Sequence, residues 1–262
     1  MQTEQKLKNS FLDECLNLDV HTLRENNKDA YSLVNELNDL MYKIENEFVN
    51  KNCDNRGVYI VTVFNQIHIS CQTYIILVER GLYCDSQVVL RAIYEKIFNL
   101  IKVIKDEKYI NRLLKKSINE NLSALKSIEK YRVYEIINEK TTKEQLEEYE
   151  KLYDAMNDIK NPHDNAKLAE ELGLERQYIY YKLLSKYTHA ELTILMQQLI
   201  FKEKGIIVNG SQVYKGKIPD EILRFVECVE LIVKAIDGYL GKISYFKELQ
   251  KIELKYEYIW KK

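Results

Sequence analysis

The sequence predicts an all-α protein, and three observations support that prediction. Only 8 glycines and 2 prolines occur in 262 residues, too few turn formers for a β-sandwich, a doubly wound sheet or a phosphate-binding glycine loop. Apolar residues recur at three- and four-residue steps, which is the period of an amphipathic helix. Hydrophobic residues make up 46% of the chain, enough to bury a full core. We expect one helical domain over 1–262, a multi-helix bundle with one small β-hairpin near 206–214.

Three helices are predicted in the first part of the chain, over about 29–50, 58–80 and 85–106. The first has its apolar residues at helical spacing, and the second is apolar over most of its surface except for one uncharged polar stripe. Gly81 is a natural end for the second helix, and Asp85 or Ser86 can cap the third. Because the link is short, these two helices should pair antiparallel.

The middle of the chain is strongly charged. A basic stretch over 102–116 leads into charged helices that run to about residue 155, and a capping box over Thr141 to Glu144 predicts a helix start. Between residues 135 and 175 acidic residues outnumber basic ones. Charge runs of this kind are usually solvated helix faces, so we expect no docking site here.

The last part of the chain should form a short helix over 166–172 that Gly173 ends, and then a long helix over about 175–202. The hairpin is predicted from two short β-prone segments, 206–208 and 212–214, around the turn pair Asn209-Gly210. Pro219 opens a helix to about residue 240. The aromatic and basic tail over 242–262 should pack on the body as a further helix.

Composition excludes several functional classes. The 39 Lys and Arg nearly balance the 40 Asp and Glu, so no global field attracts the protein to nucleic acid or acidic membranes. No run approaches the roughly 18 apolar residues of a membrane span, and no signal-peptide core is visible. Five cysteines without a C-x-x-C pair fit a reducing cytoplasm. We expect a cytoplasmic bacterial protein without a metal site or cofactor, since its four histidines are scattered.

Two polar stripes on otherwise apolar helices are the strongest functional signal. Arg91 and Glu95 stand one turn apart on the third helix, with Asn99 and Lys102 continuing their stripe. The helix after Gly173 has a second stripe, and its members are Tyr178, Tyr181, Ser185, Thr188 and His189. The two stripes predict a shared site, with Tyr178, Tyr181 and Tyr94 as walls of a pocket for a base or another planar ligand.

These motifs carry a resemblance to a known family. The segments 77–86, 90–95 and 184–189, together with Tyr181, resemble a bacterial family described only as a domain of unknown function, over about residues 55–200. The resemblance implies an all-helical core in which the Arg-x-x-x-Glu helix faces the Tyr-x-x-x-Ser-x-x-x-His helix. It implies no established reaction. The C-terminal helices over 219–262 would then pack on this core.

A broader resemblance is to HEPN-type helical ribonucleases of toxin and phage-defence systems. In those proteins an arginine and a histidine on one helix act on the RNA phosphodiester. This chain departs from that pattern, because the nearest arginine upstream of His189 on its helix is Arg176, thirteen residues away. Only Arg91, from another helix, could complete the pair. His189 would then act as acid or base and Arg91 would hold phosphate, while Glu95 or Ser185 orients them.

A non-enzymatic alternative explains the same residues, so whether the protein is an enzyme stays open. Arg91, Glu95, Ser185 and His189 can form a polar network that fixes helix register, in a ligand-sensing or protein-interaction module that self-associates. Residues 166–174 imitate a DNA-binding helix-turn-helix, but they lack the basic cluster that phosphate contacts need. We therefore expect no specific binding to duplex DNA, whereas the HEPN resemblance implies RNA as a possible partner. Solvent access to the two stripes would distinguish the hypotheses, because an enzymatic site must be open to a substrate and a purely structural network can be buried.

Overall fold

The structure, a computed structural model, describes residues 14–48, 54–135, 137–189, 199–202, 205–208 and 218–259, and side chains within 20–48, 54–135, 137–189 and 218–259. Its helices are α1 Glu14–Asn26, α2 Lys28–Phe48, α3 Asn55–Glu79, α4 Tyr83–Lys105, α5 Tyr109–Tyr131, α6 Glu139–Ala155, α7 Asn165–Leu172, α8 Glu175–Thr188, α9 Ile218–Leu240 and α10 Ser244–Tyr256. A 3-10 turn over Glu257–Ile259 follows α10. The predicted helical class fits these described residues.

The α3–α4 pair follows the sequence prediction at its turn. Gly81 has a φ of +71°, the left-handed conformation that favours glycine after a helix end. The Asp54 side chain caps α3 by accepting a hydrogen bond from the Gly57 N–H at 2.7 Å. The predicted cap of α4 is wrong. That helix begins at Tyr83, so Asp85 and the buried Ser86 lie inside its first turn.

Helices α5 and α6 pack mainly on each other. Their contact has a small apolar cluster of its own, with Leu122 and Leu125 from α5 and Leu146 from α6. Helix α6 begins at Glu139, two residues before the predicted capping box, because the Asn138 side chain accepts the Thr141 N–H at 2.9 Å. The charged faces of this pair are solvent-exposed, as the charge runs predicted.

Helix α7 also matches its prediction, and Gly173 ends it with a φ of +71°. The long helix predicted over 175–202 is wrong, because α8 ends at Thr188 and Leu199–Lys202 is a β-strand, β1. The residues directly after Thr188 include no glycine or proline. The sequence therefore contains no local signal that predicts a helix end at this position.

The predicted β-hairpin over 206–214 is not seen. Residues 206–208 do belong to a strand, β2 Gly205–Val208, but its antiparallel partner is β1. The other predicted strand, 212–214, and the Asn209-Gly210 turn lie outside the described residues. The prediction relied on the Asn-Gly pair as a turn signal after residue 208. The β-propensity of a segment does not determine whether its partner strand precedes or follows it in the chain. The apolar run Leu199-Ile200-Phe201 supplied that partner.

The main hydrophobic core lies between α2, α3, α4 and α9, with α1, α7, α8 and α10 packed around it. Helix α4 is central, since it contacts α3, α7, α8 and α9. Its fully buried side chains include Leu90, Tyr94, Ile97, Phe98 and Leu100. The single-domain assignment over 1–262 stays a prediction. The position of α4 matters for function, because two of its faces meet polar partners from other helices.

Among the described helices, only α3 is long and apolar enough to cross a membrane, with a mean hydropathy of 1.3 over its most apolar window. This is weak evidence for a span. Helix α3 packs against α2, α4 and α9, and a core helix passes the same test of length and composition.

Candidate functional site

The first polar face of α4 meets α8 through Arg91. Its Nε donates a hydrogen bond to Ser185 Oγ at 3.0 Å, and its Nη2 donates to Tyr181 Oη at 2.8 Å. The guanidinium carbon also lies 4.7 Å from the centroid of the Tyr181 ring, within the range of a cation–π contact. One arginine thus joins two consecutive turns of α8 to α4. We call the contact of Arg91, Glu95, Tyr181 and Ser185 the α4–α8 seam.

Ser185 is oriented by its own helix. Its hydroxyl donates to the Tyr181 carbonyl at 3.1 Å, which is the usual backbone contact of a serine inside a helix. The Oγ lone pairs then remain for the Arg91 Nε. A serine at this position therefore holds Arg91 without leaving an unpaired donor of its own.

Glu95 lies one turn beyond Arg91, and its Oε2 is 3.7 Å from Arg91 Nη1. This distance is an ion pair without a short hydrogen bond. The side chains remain 23% exposed for Arg91 and 35% exposed for Glu95. The seam is therefore partly open to solvent, and Nη1 carries the least-engaged donors of Arg91.

The rest of the α4 stripe does not join the seam. Asn99 donates to the Glu95 carbonyl at 3.0 Å, within its own helix. Lys102 pairs with Glu171 of α7 at 3.2 Å and with Asp106 at 3.5 Å. These contacts fasten α7 to the C-terminal end of α4.

The three tyrosines predicted as pocket walls separate into two places. Tyr178 and Tyr181 are both half-buried, and their rings stack at 6.0 Å between centroids, so that Tyr178 lies next to the seam through Tyr181. Tyr94 is fully buried on another face of α4, where its hydroxyl donates to Glu227 Oε2 at 3.2 Å. Burial, the buried Cys228 and the Glu227 carboxylate raise the pKa of the Tyr94 hydroxyl above its usual value.

His189 lies at the C-terminal end of α8, one turn beyond Ser185. Its backbone N–H donates to the Ser185 carbonyl at 3.2 Å, and its side chain is exposed. The imidazole has no hydrogen bond or ion pair with the residues that the structure describes. The structure thus brings Arg91, Glu95, Tyr181 and Ser185 together, and leaves His189 beside them without a contact to Arg91.

A model described as a family of unknown function (DUF5677) matches residues 57–206, which is more than half of the 262 residues. The chain belongs to the DUF5677 family. The expectation of an uncharacterised family over about 55–200 is confirmed. No curated protein and no solved structure matches the chain.

The DUF5677 region contains every residue of the α4–α8 seam as well as His189, whereas α9 and α10 lie beyond it. A second polar cluster joins that region to α9. Glu221 of α9 is 3% exposed, and its carboxylate accepts hydrogen bonds from Tyr74 Oη of α3 and from Gln87 Nε2 of α4, the latter at 3.1 Å. We call Tyr74, Gln87 and Glu221 the sealed cluster.

Sequence reasoning missed the sealed cluster, although a signal existed. Glu221 stands between Ile218 and Phe225 at steps of three and four, so it occupies an apolar position of its helix. A carboxylate on such a face requires buried partners. Burial and the nearby Glu221 carboxylate raise the pKa of the Tyr74 hydroxyl well above its usual value. Tyr74 is thus a permanent donor.

The described residues contain no group of three or more His, Cys, Asp or Glu side chains that could hold a metal ion. They do contain an open groove of about 830 Å³ between α8, α9 and α10. Glu227 lines this groove and also accepts a hydrogen bond from Gln177 Nε2 at 3.0 Å. Glu227 therefore links α4, α8 and α9 at the wall of the groove.

Proposed function

We propose that the protein is an RNA-directed effector of the HEPN type, with its site at the α4–α8 seam and His189. One observation carries the proposal. Arg91 reaches across the seam to Ser185, while His189, one turn farther along α8, presents an exposed imidazole without a partner among the described residues. A positively charged group and a group that can transfer a proton are what phosphodiester cleavage most needs, and an arginine and a histidine supply them.

Arg91 is suited to hold a phosphate. Its Nε and Nη2 are used by Ser185 and Tyr181, which fixes the plane of the guanidinium. Its Nη1 faces only Glu95, at 3.7 Å. A phosphate oxygen at Nη1 would therefore compete only with the long ion pair to Glu95. The hydrogen bonds to Ser185 and Tyr181 would already hold the guanidinium in its orientation before the phosphate binds.

The chemistry assigns His189 the proton transfers. In RNA, attack of the ribose 2′ oxygen on the adjacent phosphorus forms a cyclic phosphate and breaks the bond from phosphorus to the 5′ oxygen. His189 would take the proton from the 2′ hydroxyl while a water molecule protonates the departing 5′ oxygen, or it would protonate the 5′ oxygen while water takes the 2′ proton. Arg91 would stabilise the charge on the non-bridging oxygens. Ser185 and Glu95 are positioning residues in this scheme, because they act through Arg91.

The test compares wild type with His189→Ala and Arg91→Ala on total RNA and on defined single-stranded oligonucleotides. His21→Ala is the matched control, since His21 is also an exposed helical histidine and lies on α1. We expect cleavage by wild type and by the control. His189→Ala should reduce the rate about 10²-fold or more, because a general acid or base contributes that much. Equal cleavage by His189→Ala and wild type would overturn the proposal.

A second candidate has one observation in its favour. Two of the three guanidinium nitrogens of Arg91 are already bonded inside the protein, as expected if the seam only locks α4 against α8. The protein would then be a non-enzymatic sensing or interaction module. In that case no variant cuts RNA, and Arg91→Ala lowers the melting temperature while His189→Ala leaves it unchanged.

A further inference from the structure

Another cluster of polar side chains lies at the C-terminal end of α4, where the start of α5 meets the segment before α7. We call Tyr109, Arg112 and His163 the α5–α7 junction. Tyr109 is fully buried, and the guanidinium carbon of Arg112 lies 6.0 Å from the centroid of its ring. His163 keeps 23% of its side chain exposed. The junction is therefore buried on the side of Tyr109 and reaches solvent beside His163.

Arg112 is held on one side and unused on the other. Its Nη1 donates a hydrogen bond to His163 Nε2 at 3.2 Å. Among the residues that the structure describes, its Nε and Nη2 have no acceptor, and no carboxylate oxygen lies within 4 Å of the guanidinium nitrogens. Nε and Nη2 form the edge with which an arginine binds a carboxylate or a phosphate through two parallel hydrogen bonds.

Arg24 shows what this edge does elsewhere in the same chain. Its Nε and Nη2 donate to the two carboxylate oxygens of Glu79, at 2.8 and 2.9 Å. The Arg24 side chain is 56% exposed, whereas Arg112 is half-buried and has less access to water. A half-buried charge without a counter-ion is unfavourable. An anion that accepts both hydrogen bonds would therefore stabilise Arg112 more than it would stabilise an exposed arginine.

The Tyr109 hydroxyl is a second group here that lacks an acceptor. It is buried and makes no hydrogen bond with any described residue. Burial raises the pKa of this hydroxyl to about 12, against the opposing charge of Arg112, so the hydroxyl keeps its proton and stays a donor. Buried hydroxyls nearly always have a partner, which can be a bound water or ligand. Arg112 and Tyr109 thus independently indicate a missing acceptor at the junction.

The carboxylates near the junction already have cations. Glu171 pairs with Lys102 at 3.2 Å, and its Oε1 lies 2.7 Å from His163 Nδ1, although not aligned as a hydrogen bond. Asp106 pairs with Lys102 at 3.5 Å. The stretch 102–116, which supplies most of these residues, has six basic and two acidic residues. The local charge is therefore positive, and it favours an anion as the missing acceptor.

We propose that the α5–α7 junction binds a phosphate group, with two of its oxygens on Nε and Nη2 of Arg112. His163 is a positioning residue, because it holds Nη1 and leaves the other edge of the guanidinium free. The Tyr109 hydroxyl supplies a third donor, directly or through one water. The phosphate belongs to a free nucleotide or to an RNA backbone. The junction shares no residue with the α4–α8 seam, so it does not depend on the proposed RNA cleavage.

The test is a titration with inorganic phosphate followed by NMR at about 0.15 M ionic strength, where long-range attraction is screened. Wild type should bind one equivalent saturably, and Arg112→Gln should bind at least about tenfold more weakly, because both oriented donors are lost. Lys116→Gln is the matched control, since it removes the same charge from an exposed side chain one turn farther along α5. No saturable binding by wild type, or an equal loss in the control, would overturn the site.

A second variant and a second readout separate binding from folding. Arg112→Lys keeps the charge but lacks the two-pronged edge, so it should bind phosphate more weakly than wild type and more tightly than Arg112→Gln. Phosphate should raise the melting temperature of wild type and Lys116→Gln, and should leave that of Arg112→Gln unchanged. If Arg112→Gln does not fold, Arg112→Lys decides the question, and phosphate binding equal to that of wild type would contradict the proposal.

Two ligands distinguish the sources of the phosphate. The first is a 2′-O-methyl RNA oligonucleotide, which cannot be cleaved through its 2′ oxygen, and the second is adenosine monophosphate. Weaker oligonucleotide binding by Arg112→Gln would assign the junction to an RNA backbone, and a loss confined to the mononucleotide would assign it to a free nucleotide. Unchanged affinity for both would overturn the site. His189→Ala should bind phosphate as wild type does, so a failure of the RNA cleavage proposal would not be mistaken for a failure here.

Discussion

Helix α4 presents polar side chains to two neighbours, and the two contacts differ in their access to water. Toward α8, Arg91 and Glu95 keep 23% and 35% of their side chains exposed. Toward α9, Gln87 and Glu221 are 1% and 3% exposed, and Tyr74 of α3 completes that cluster at 0%. Each contact combines a carboxylate, hydroxyl groups and a nitrogen donor, although the seam hydroxyls accept from Arg91 whereas the Tyr74 hydroxyl donates to Glu221. Because the seam is exposed to solvent, a substrate could reach it. The sealed cluster is buried, so we assign it a structural role.

The two contacts also differ in how much of the chain they need. The α4–α8 seam lies wholly within the matched residues 57–206, whereas Glu221 lies beyond them on α9. All residues of the seam thus belong to the DUF5677 region, whereas the sealed cluster includes a residue of the helix that follows. A polar network that ties the family region to an additional helix is one way to make α9 part of the same folding unit.

The largest effect is expected from the sealed cluster. Glu221→Leu leaves the Tyr74 hydroxyl and the Gln87 amide buried without their acceptor, so the free energy of unfolding should fall by about 3 kcal/mol or more. Urea unfolding measures this. The triple variant Tyr74→Phe, Gln87→Met, Glu221→Met removes all the polar groups together and should recover more than half of the loss. A cost below about 1 kcal/mol for Glu221→Leu would show that water reaches this cluster.

An intermediate effect is expected at the seam. Arg91→Met removes the hydrogen bonds to Ser185 and Tyr181 but keeps much of the aliphatic stem, and water can solvate the groups left behind. The free energy of unfolding should fall by about 1–2 kcal/mol, as for two part-exposed hydrogen bonds. Urea unfolding measures this change as well, and the free energy of unfolding of Arg91→Lys should lie between those of wild type and Arg91→Met. If Arg91→Met costs as much as Glu221→Leu, the seam is closed in solution and the contrast between the two contacts disappears.

The smallest effect on stability is expected at His189. Its exposed side chain makes no hydrogen bond or ion pair with the seam residues, so His189→Ala should change the free energy of unfolding by no more than about 0.5 kcal/mol. This variant therefore separates activity from folding better than any substitution in the seam. A loss above 1 kcal/mol would place the imidazole inside the network, and would favour the structural interpretation of the Ser185 helix.

The sequence anticipated much of the fold and part of the site. The period of apolar residues located most helices to within a few residues, and Gly81 and Gly173 ended the helices that they were expected to end. The meeting of Arg91 with Ser185 and Tyr181 followed from two polar stripes on apolar helices. The predicted hairpin was wrong because a strand can pair with a segment on either side of it in the chain. The predicted end of α8 was wrong because no glycine or proline directly after Thr188 signals a helix end.

Local regularities are what the amino-acid sequence by itself determined here: helical period, glycine turns, and the positions of polar residues along α4 and α8. Tertiary structure alone decided which of those residues are open and which are sealed, and it formed the groove at Glu227. The physical reason is that exposure depends on which helix covers a face. Helix α9, which covers Tyr74 and Gln87, begins more than 130 residues after Gln87 in the chain. No pattern within a single helix contains that information.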